Sequence, residues 1–171
     1  MPPSDPAGDV AAVRVVRTLI DRRLTVAVAE SLTGGLLTAE LTSVPGASAV
    51  VLGGAVVYAT ELKHTLLGVD ADLLAAEGPV HPEVARQLAA GVRERLAVDG
   101  RPADLGLATT GVAGPDPQGG RPVGTVYVGI SSAAGTRAVT LTLTGDRDGI
   151  RRRTVEEALS ALAAELGITA V

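Results

Sequence analysis

Three side chains of this 171-residue chain, Ser31, Tyr58 and Lys63, could together build a serine-based reaction. By pattern alone, Lys63 reads more simply as a solvated helix lysine and Tyr58 equally as a core residue. The run Thr25 to Ala29 is small and β-branched and reads as a buried strand. Leu36 to Leu41 reads as a helix that must stop before Pro45. Ser31 is therefore expected at a strand-to-helix turn, its hydroxyl beside unpaired helix N–H groups. Gly34 and Gly35 leave the backbone bare, so a ligand's polar atoms can come close. Such a turn suits a serine nucleophile with a built-in oxyanion site or a cradle for phosphate. A plain βα turn with Ser or Thr as N-cap is the simpler alternative.

Tyr58 closes the next apolar run and Lys63 lies in a short helix after it. If the two strands are parallel, Ser31 and Tyr58 project at the same sheet edge, with Lys63 one loop away. A serine hydroxyl attacks only when a neighbour takes its proton. A lysine can do so once burial or a nearby positive charge lowers its pKa, and a tyrosine hydroxyl could relay the proton or hold the pair. His64 adjoins Lys63, so the two side chains diverge by about 100° and cannot share one site. His64 and His81 read instead as surface or capping residues.

A glycine-rich loop from Thr109 to Gly124 supplies a second cluster. Gly111, Gly114, Gly119 and Gly120 permit close backbone approach, Thr109 and Thr110 add hydroxyls, and Pro115, Pro117 and Pro122 stiffen the segment. It matches neither a Walker A loop nor GxGxxG, and a nucleotide lid or ligand wall is expected. Gly145-Asp-Arg147 opens the last helix, where an Arg fork and the helix dipole favour phosphate or carboxylate. Asp70, Asp72 and Glu77 have no recognised cation-binding spacing, so no metal site is expected.

The elements that must position these groups follow from periodicity and punctuation. Asp9 is the expected N-cap of a first helix with Val10, Val13, Val16, Ile20 and Leu24 on one face. Ala49 to Tyr58 reads as a strand with a bulge or close approach at Gly53-Gly54. Thr60 is expected to cap a short helix that Gly68 ends. Pro82 starts a helix to Leu96 with Val84, Leu88, Val92 and Leu96 inward. Asp104 to Thr109 and Val123 to Ser131 read as strands, and the latter is apolar enough to be covered on both faces. Arg137 to Thr144 alternates Val139, Leu141 and Leu143 with Thr140, Thr142 and Thr144, as an antiparallel strand near an edge does. A final helix from about Arg147 to Leu166 ends at Gly167. The expected fold is a three-layer α/β/α single domain, residues 9–171, with a mixed, mostly parallel sheet behind a disordered leader over residues 1–8.

Composition narrows the class further. The chain has no Cys, Trp or Phe and two Tyr, so Ala, Val and Leu must build the core. Disulfides, thiolate ligands and a Cys nucleophile are excluded. The net charge of −4 comes without long charged runs, which argues against a nucleic-acid surface. Arg151-Arg-Arg153 is the one basic cluster, mostly expected on a solvated helix face. Neither a signal peptide nor a membrane-spanning stretch is visible, and a cytoplasmic location is expected.

Several ordered motifs together resemble the C-terminal domain of the competence/damage-inducible CinA proteins and its stand-alone form, nicotinamide-nucleotide amidohydrolase. They are Ala29-Glu-Ser-Leu-Thr-Gly-Gly-Leu-Leu37, Val44-Pro-Gly-Ala-Ser48, Val57-Tyr58 with Lys63, Leu67-Gly-Val69, Thr110-Gly-Val-Ala-Gly-Pro115, Pro122-Val-Gly-Thr-Val-Tyr127, and Gly145-Asp-Arg147 leading to Arg151-Arg-Arg153. The resemblance implies hydrolysis of the carboxamide of nicotinamide mononucleotide to nicotinate mononucleotide and ammonia, without metal or other cofactor. It implies Ser31 as nucleophile with Tyr58 and Lys63 in support. Thr33, Gly34, Gly35, Thr109, Gly111 and Gly114 would line the substrate, Arg147 would meet its phosphate, and the protein would be a homodimer. The alternatives are a non-catalytic pyridine-nucleotide or ADP-ribose binding module, and an amidohydrolase for another amide. Leu32 stands where many relatives have cysteine, and Thr60 where asparagine is common. The larger N-terminal domain of full-length members, similar to molybdopterin-binding folds, has no counterpart in this sequence, so its pyrophosphatase activity is not expected.

Overall fold

The computed structural model describes residues 6–168. Five strands, β1 (Val26–Glu30), β2 (Val51–Val56), β3 (Leu105–Gly111), β4 (Thr125–Ser132) and β5 (Gly135–Thr142), form one sheet in the order β2-β1-β3-β4-β5. The first three strands in that order are parallel, and β4 and β5 each run antiparallel to the preceding strand. Among the described residues, six α-helices, α1 (Pro6–Arg22), α2 (Leu36–Thr42), α3 (Thr60–Leu67), α4 (Ala71–Glu77), α5 (Pro82–Arg95) and α6 (Arg147–Glu165), and a short 3-10 turn at Ala47–Ala49 complete the fold. This is the expected three-layer mixed-sheet domain, its parallel strands grouped on one side and an antiparallel pair on the other.

Alternation within the strands explains the layers. Val26, Val28, Leu105, Leu107, Val128 and Ile130 point to one face, where they pack with α1, α2 and α6. Ala27, Ala29 and Ala108 point to the other, under α3, α4 and α5. On that second face α5 lies almost on the backbone of the sheet. A Cβ at Gly106 would overlap the Ala89 carbonyl, and one at Gly129 would overlap the Ala85 carbonyl. Small residues on a single face therefore set the depth at which α5 sits.

Several local expectations are corrected. The first helix starts at Pro6 rather than after Asp9, consistent with proline's preference for a first turn; the remaining leader residues lie outside the described ones. Its buried stripe is Ala12, Val15, Val16 and Leu19, while Val10 is 58% exposed, because α1 packs against α6 along the adjacent stripe. Ala59, not Thr60, occupies the N-cap of α3, without a side-chain hydrogen bond. Residues 70–77 contain a helix that the sequence reading missed, and Asp70 caps it through the Asp72 and Leu73 N–H groups. The irregularity near Gly53 is present: pairing steps from Val26–Val51 to Ala27–Gly53, leaving Leu52 as the extra residue. At Gly54 a side chain would collide with Thr38.

Candidate active site

The carboxyl ends of β1, β2 and β3 meet at one edge, with Glu30 aligned to both Val56 and Thr109. Ser31 leaves that edge with its N–H donating to the Thr109 carbonyl at 3.1 Å. The turn that follows is held from inside by Glu30, which is wholly buried. Its carboxylate accepts from the Gly35, Leu37 and Thr38 N–H groups at 3.0, 3.1 and 2.8 Å, and from the Thr38 hydroxyl at 2.6 Å. The first turn of a helix leaves N–H groups unpaired. Here a carboxylate from the preceding strand satisfies them and sits well in the helix dipole.

Lys63 is the only lysine of the chain, and it is completely buried. Its Nζ lies 3.1 Å from Ser31 Oγ and donates to the carbonyls of Val57 at 2.7 Å and Tyr58 at 3.4 Å. No acidic side chain pairs with it among the described residues. Burial lowers its pKa from the ordinary 10.5 to about 8. A neutral amine has two N–H bonds and one lone pair. Two carbonyls take the former, which leaves the latter for the Ser31 hydroxyl proton.

A cavity of about 120 Å³ opens beside this pair. Ser31, Leu32, Tyr58 and Lys63 form one wall; Pro79 and Val80 before α5, and the segment from Thr110 to Gln118, form the other. Arg147 bridges the mouth, donating to the Gly114 carbonyl at 2.7 Å and to the Tyr58 hydroxyl at 3.0 Å. Tyr58 thus reaches the site, but its hydroxyl meets Arg147 and its carbonyl meets Lys63.

Gly111 and Gly114 line the cavity as well. Thr33, Gly34, Gly35 and Thr109 are not part of its wall. The Thr33 and Thr109 hydroxyls bond each other at 2.8 Å in the interior, the Gly34 N–H returns to the Ser31 carbonyl at 3.1 Å, and the Gly35 N–H is taken by Glu30. His64 Nδ1 engages the Val69 carbonyl, and His81 Nδ1 accepts from the Glu83 N–H as the N-cap of α5. The Asp70, Asp72 and Glu77 carboxylates form no metal-binding group among the described residues.

Glu30, Asp116 and Arg151 were not read as site residues from the sequence. A charged residue ending an otherwise apolar strand just before a helix is a signal for Glu30. Helical spacing is one for Arg151, which stands one turn after Arg147 and so shares its face.

A serine beside a buried lysine, at the carboxyl edge of parallel strands, makes this an α/β domain with a candidate nucleophile–base pair. The CinA C-terminal domain model matches residues 9–166, and the chain belongs to that family. It is 54% identical over 145 residues to a CinA-like protein of Frankia casuarinae, covering 85% of this chain and 32% of that protein. It is 47% identical over 154 residues to a putative competence-damage inducible protein of a Geobacillus species, covering 90% of this chain and 36% of that protein. The chain thus spans about a third of the length of these relatives. Among solved structures, the competence/damage inducible protein CihA of Agrobacterium tumefaciens superposes with a TM-score of 0.89 at 33% identity, over 98% of this chain and 99% of that one. Among the described residues, no helix is long and apolar enough to cross a membrane.

Proposed function

We propose that this protein is a serine amidohydrolase that converts the carboxamide of nicotinamide mononucleotide to the carboxylate, releasing ammonia. The observation that supports this most is the buried Lys63 amine 3.1 Å from Ser31 Oγ, with its pKa lowered to about 8. Neutral Lys63 takes the Ser31 proton as Oγ attacks the amide carbon. The carbonyl oxygen becomes an oxyanion beside the turn, where Gly34 and Gly35 have already committed their N–H groups. The Leu32 N–H, which has no hydrogen-bond partner among the described residues and belongs to a residue that lines the cavity, is the donor left to receive it. Protonated Lys63 then gives its proton to the departing nitrogen, the C–N bond breaks and ammonia leaves. Water, deprotonated by the same amine, attacks the acyl-enzyme and restores Ser31.

Pockets for small ligands usually measure ~300–1,000 Å³. At about 120 Å³ this cavity takes only the reacting end of a nucleotide. Ribose and phosphate would lie outside it, near Arg147. A homodimer and a cytoplasmic location belong to the same proposal.

The test is incubation with nicotinamide mononucleotide, with chelator present, while ammonia and nicotinate mononucleotide are both measured. Equal release is expected from the native protein and none from Ser31→Ala, which should still bind the nucleotide. Binding without turnover by the native protein would leave a nucleotide-binding module; turnover by Ser31→Ala would remove the nucleophile assignment.

A further inference from the structure

The turn after Ser31 is also held from α6. Arg151 Nε donates to the Leu32 carbonyl at 2.9 Å and its Nη2 to the Thr33 carbonyl at 3.1 Å. Arg151 is half-buried and is not part of the cavity wall. Its neighbours behave differently: Arg152 pairs with Asp148, Arg153 lies near Glu156 and Glu157, and both of these arginines are exposed.

We propose that Arg151 is a positioning residue for the oxyanion site, acting through the backbone of the nucleophile turn; this rests on the amidohydrolase reading above. In a planar trans amide the N–H points opposite to the C=O. Holding the Leu32 carbonyl toward α6 therefore fixes the plane of the Leu32–Thr33 peptide, and with it the orientation of Leu32, which lines the cavity. The same constraint on the Thr33 carbonyl accompanies the Gly34 N–H that returns to Ser31. Glu30 fixes the far end of the turn, so the Leu32–Thr33 peptide is clamped between a carboxylate and a guanidinium. Lysine is not equivalent here, because the two carbonyls are met by two nitrogens of one planar fork, Nε and Nη2, which a single ammonium does not reproduce.

The experiment compares the native chain with Arg151→Lys and Arg151→Ala by steady-state kinetics on nicotinamide mononucleotide and by amide hydrogen exchange. In both variants kcat is expected to fall by about 10²-fold with KM nearly unchanged. Exchange at residues 32–35 should quicken while α5 keeps its protection. Millimolar ethylguanidinium should restore part of the Arg151→Ala rate. Unchanged exchange at residues 32–35, or a raised KM with kcat intact, would overturn the assignment. If the native chain hydrolyses no amide, the amidohydrolase reading fails. The exchange result then decides by itself whether Arg151 orders the turn.

Discussion

At the scale of single residues, the contest is between keeping Lys63 charged and keeping it buried. With no carboxylate paired with it among the described residues, desolvation prevails and the amine's pKa falls to about 8. Turnover should therefore rise with pH through an apparent pKa of about 8 and level off above it, as the base becomes neutral. The rate–pH profile of kcat/KM measures this, and a flat profile from about pH 6 to 9 would exclude Lys63 as the base. Lys63→Arg should be inactive at every pH, since a guanidinium does not lose its proton. Part of the candidate site was legible early: the strand, turn and helix around Ser31 placed its hydroxyl at the sheet edge, and the element order brought Lys63 near. The role of Tyr58 was not. Its hydroxyl is directed to Arg147 by the packing of α6, 89 residues away in sequence, and no local pattern encodes that. Nor could the sequence show that Glu30 would occupy the helix N–H groups which first suggested a ligand cradle.

At the scale of elements, the depth of α5 is the variable that shapes the site. Pro79 and Val80, which lead into α5, form part of the cavity wall. The helix rests on Gly106 and Gly129 with no room for a methyl group. Gly129→Ala forces helix and sheet apart, and overpacking of this kind typically costs about 1–3 kcal/mol. The clash here is with backbone, so the upper part of that range is expected in denaturant melts, together with loss of turnover as the wall shifts. A Gly129→Ala variant as stable and active as the parent would show that α5 can slide without consequence. The alternation Val26-Ala-Val-Ala29, Leu105-Gly-Leu-Ala108 and Val128-Gly-Ile130 carried this information. Read only as apolar runs, those segments gave strands but not the unequal spacing of the two layers. The helix over residues 71–77 was missed for another reason: at seven residues it shows too few turns for a periodic signal.

For the whole molecule, the buried amine links function to stability. The unfolded chain holds the Lys63 proton up to about its ordinary 10.5, whereas the folded chain releases it near 8. Between those values the unfolded state binds more protons, so stability rises with pH, by about 3 kcal/mol for this group. Below about 8 both states are protonated and the buried charge penalises the fold in full. The chain has no cysteine and no second lysine, so few other groups titrate in that window. Chemical denaturation at about pH 7.5 and about pH 10 should show the gain in the native protein and lose it in Lys63→Met.

The solitary lysine has a further consequence for the surface of the domain. Apart from the imidazoles of His64 and His81, every other basic side chain is a guanidinium, so the exterior of the domain carries no ε-amine at all. Reagents and enzymes that acylate, alkylate or conjugate lysine find no ε-amine to modify on its surface. The same feature makes the ε-amine spectroscopically unique: a lysine-selective isotope label would report the buried Lys63 amine with no second lysine as background.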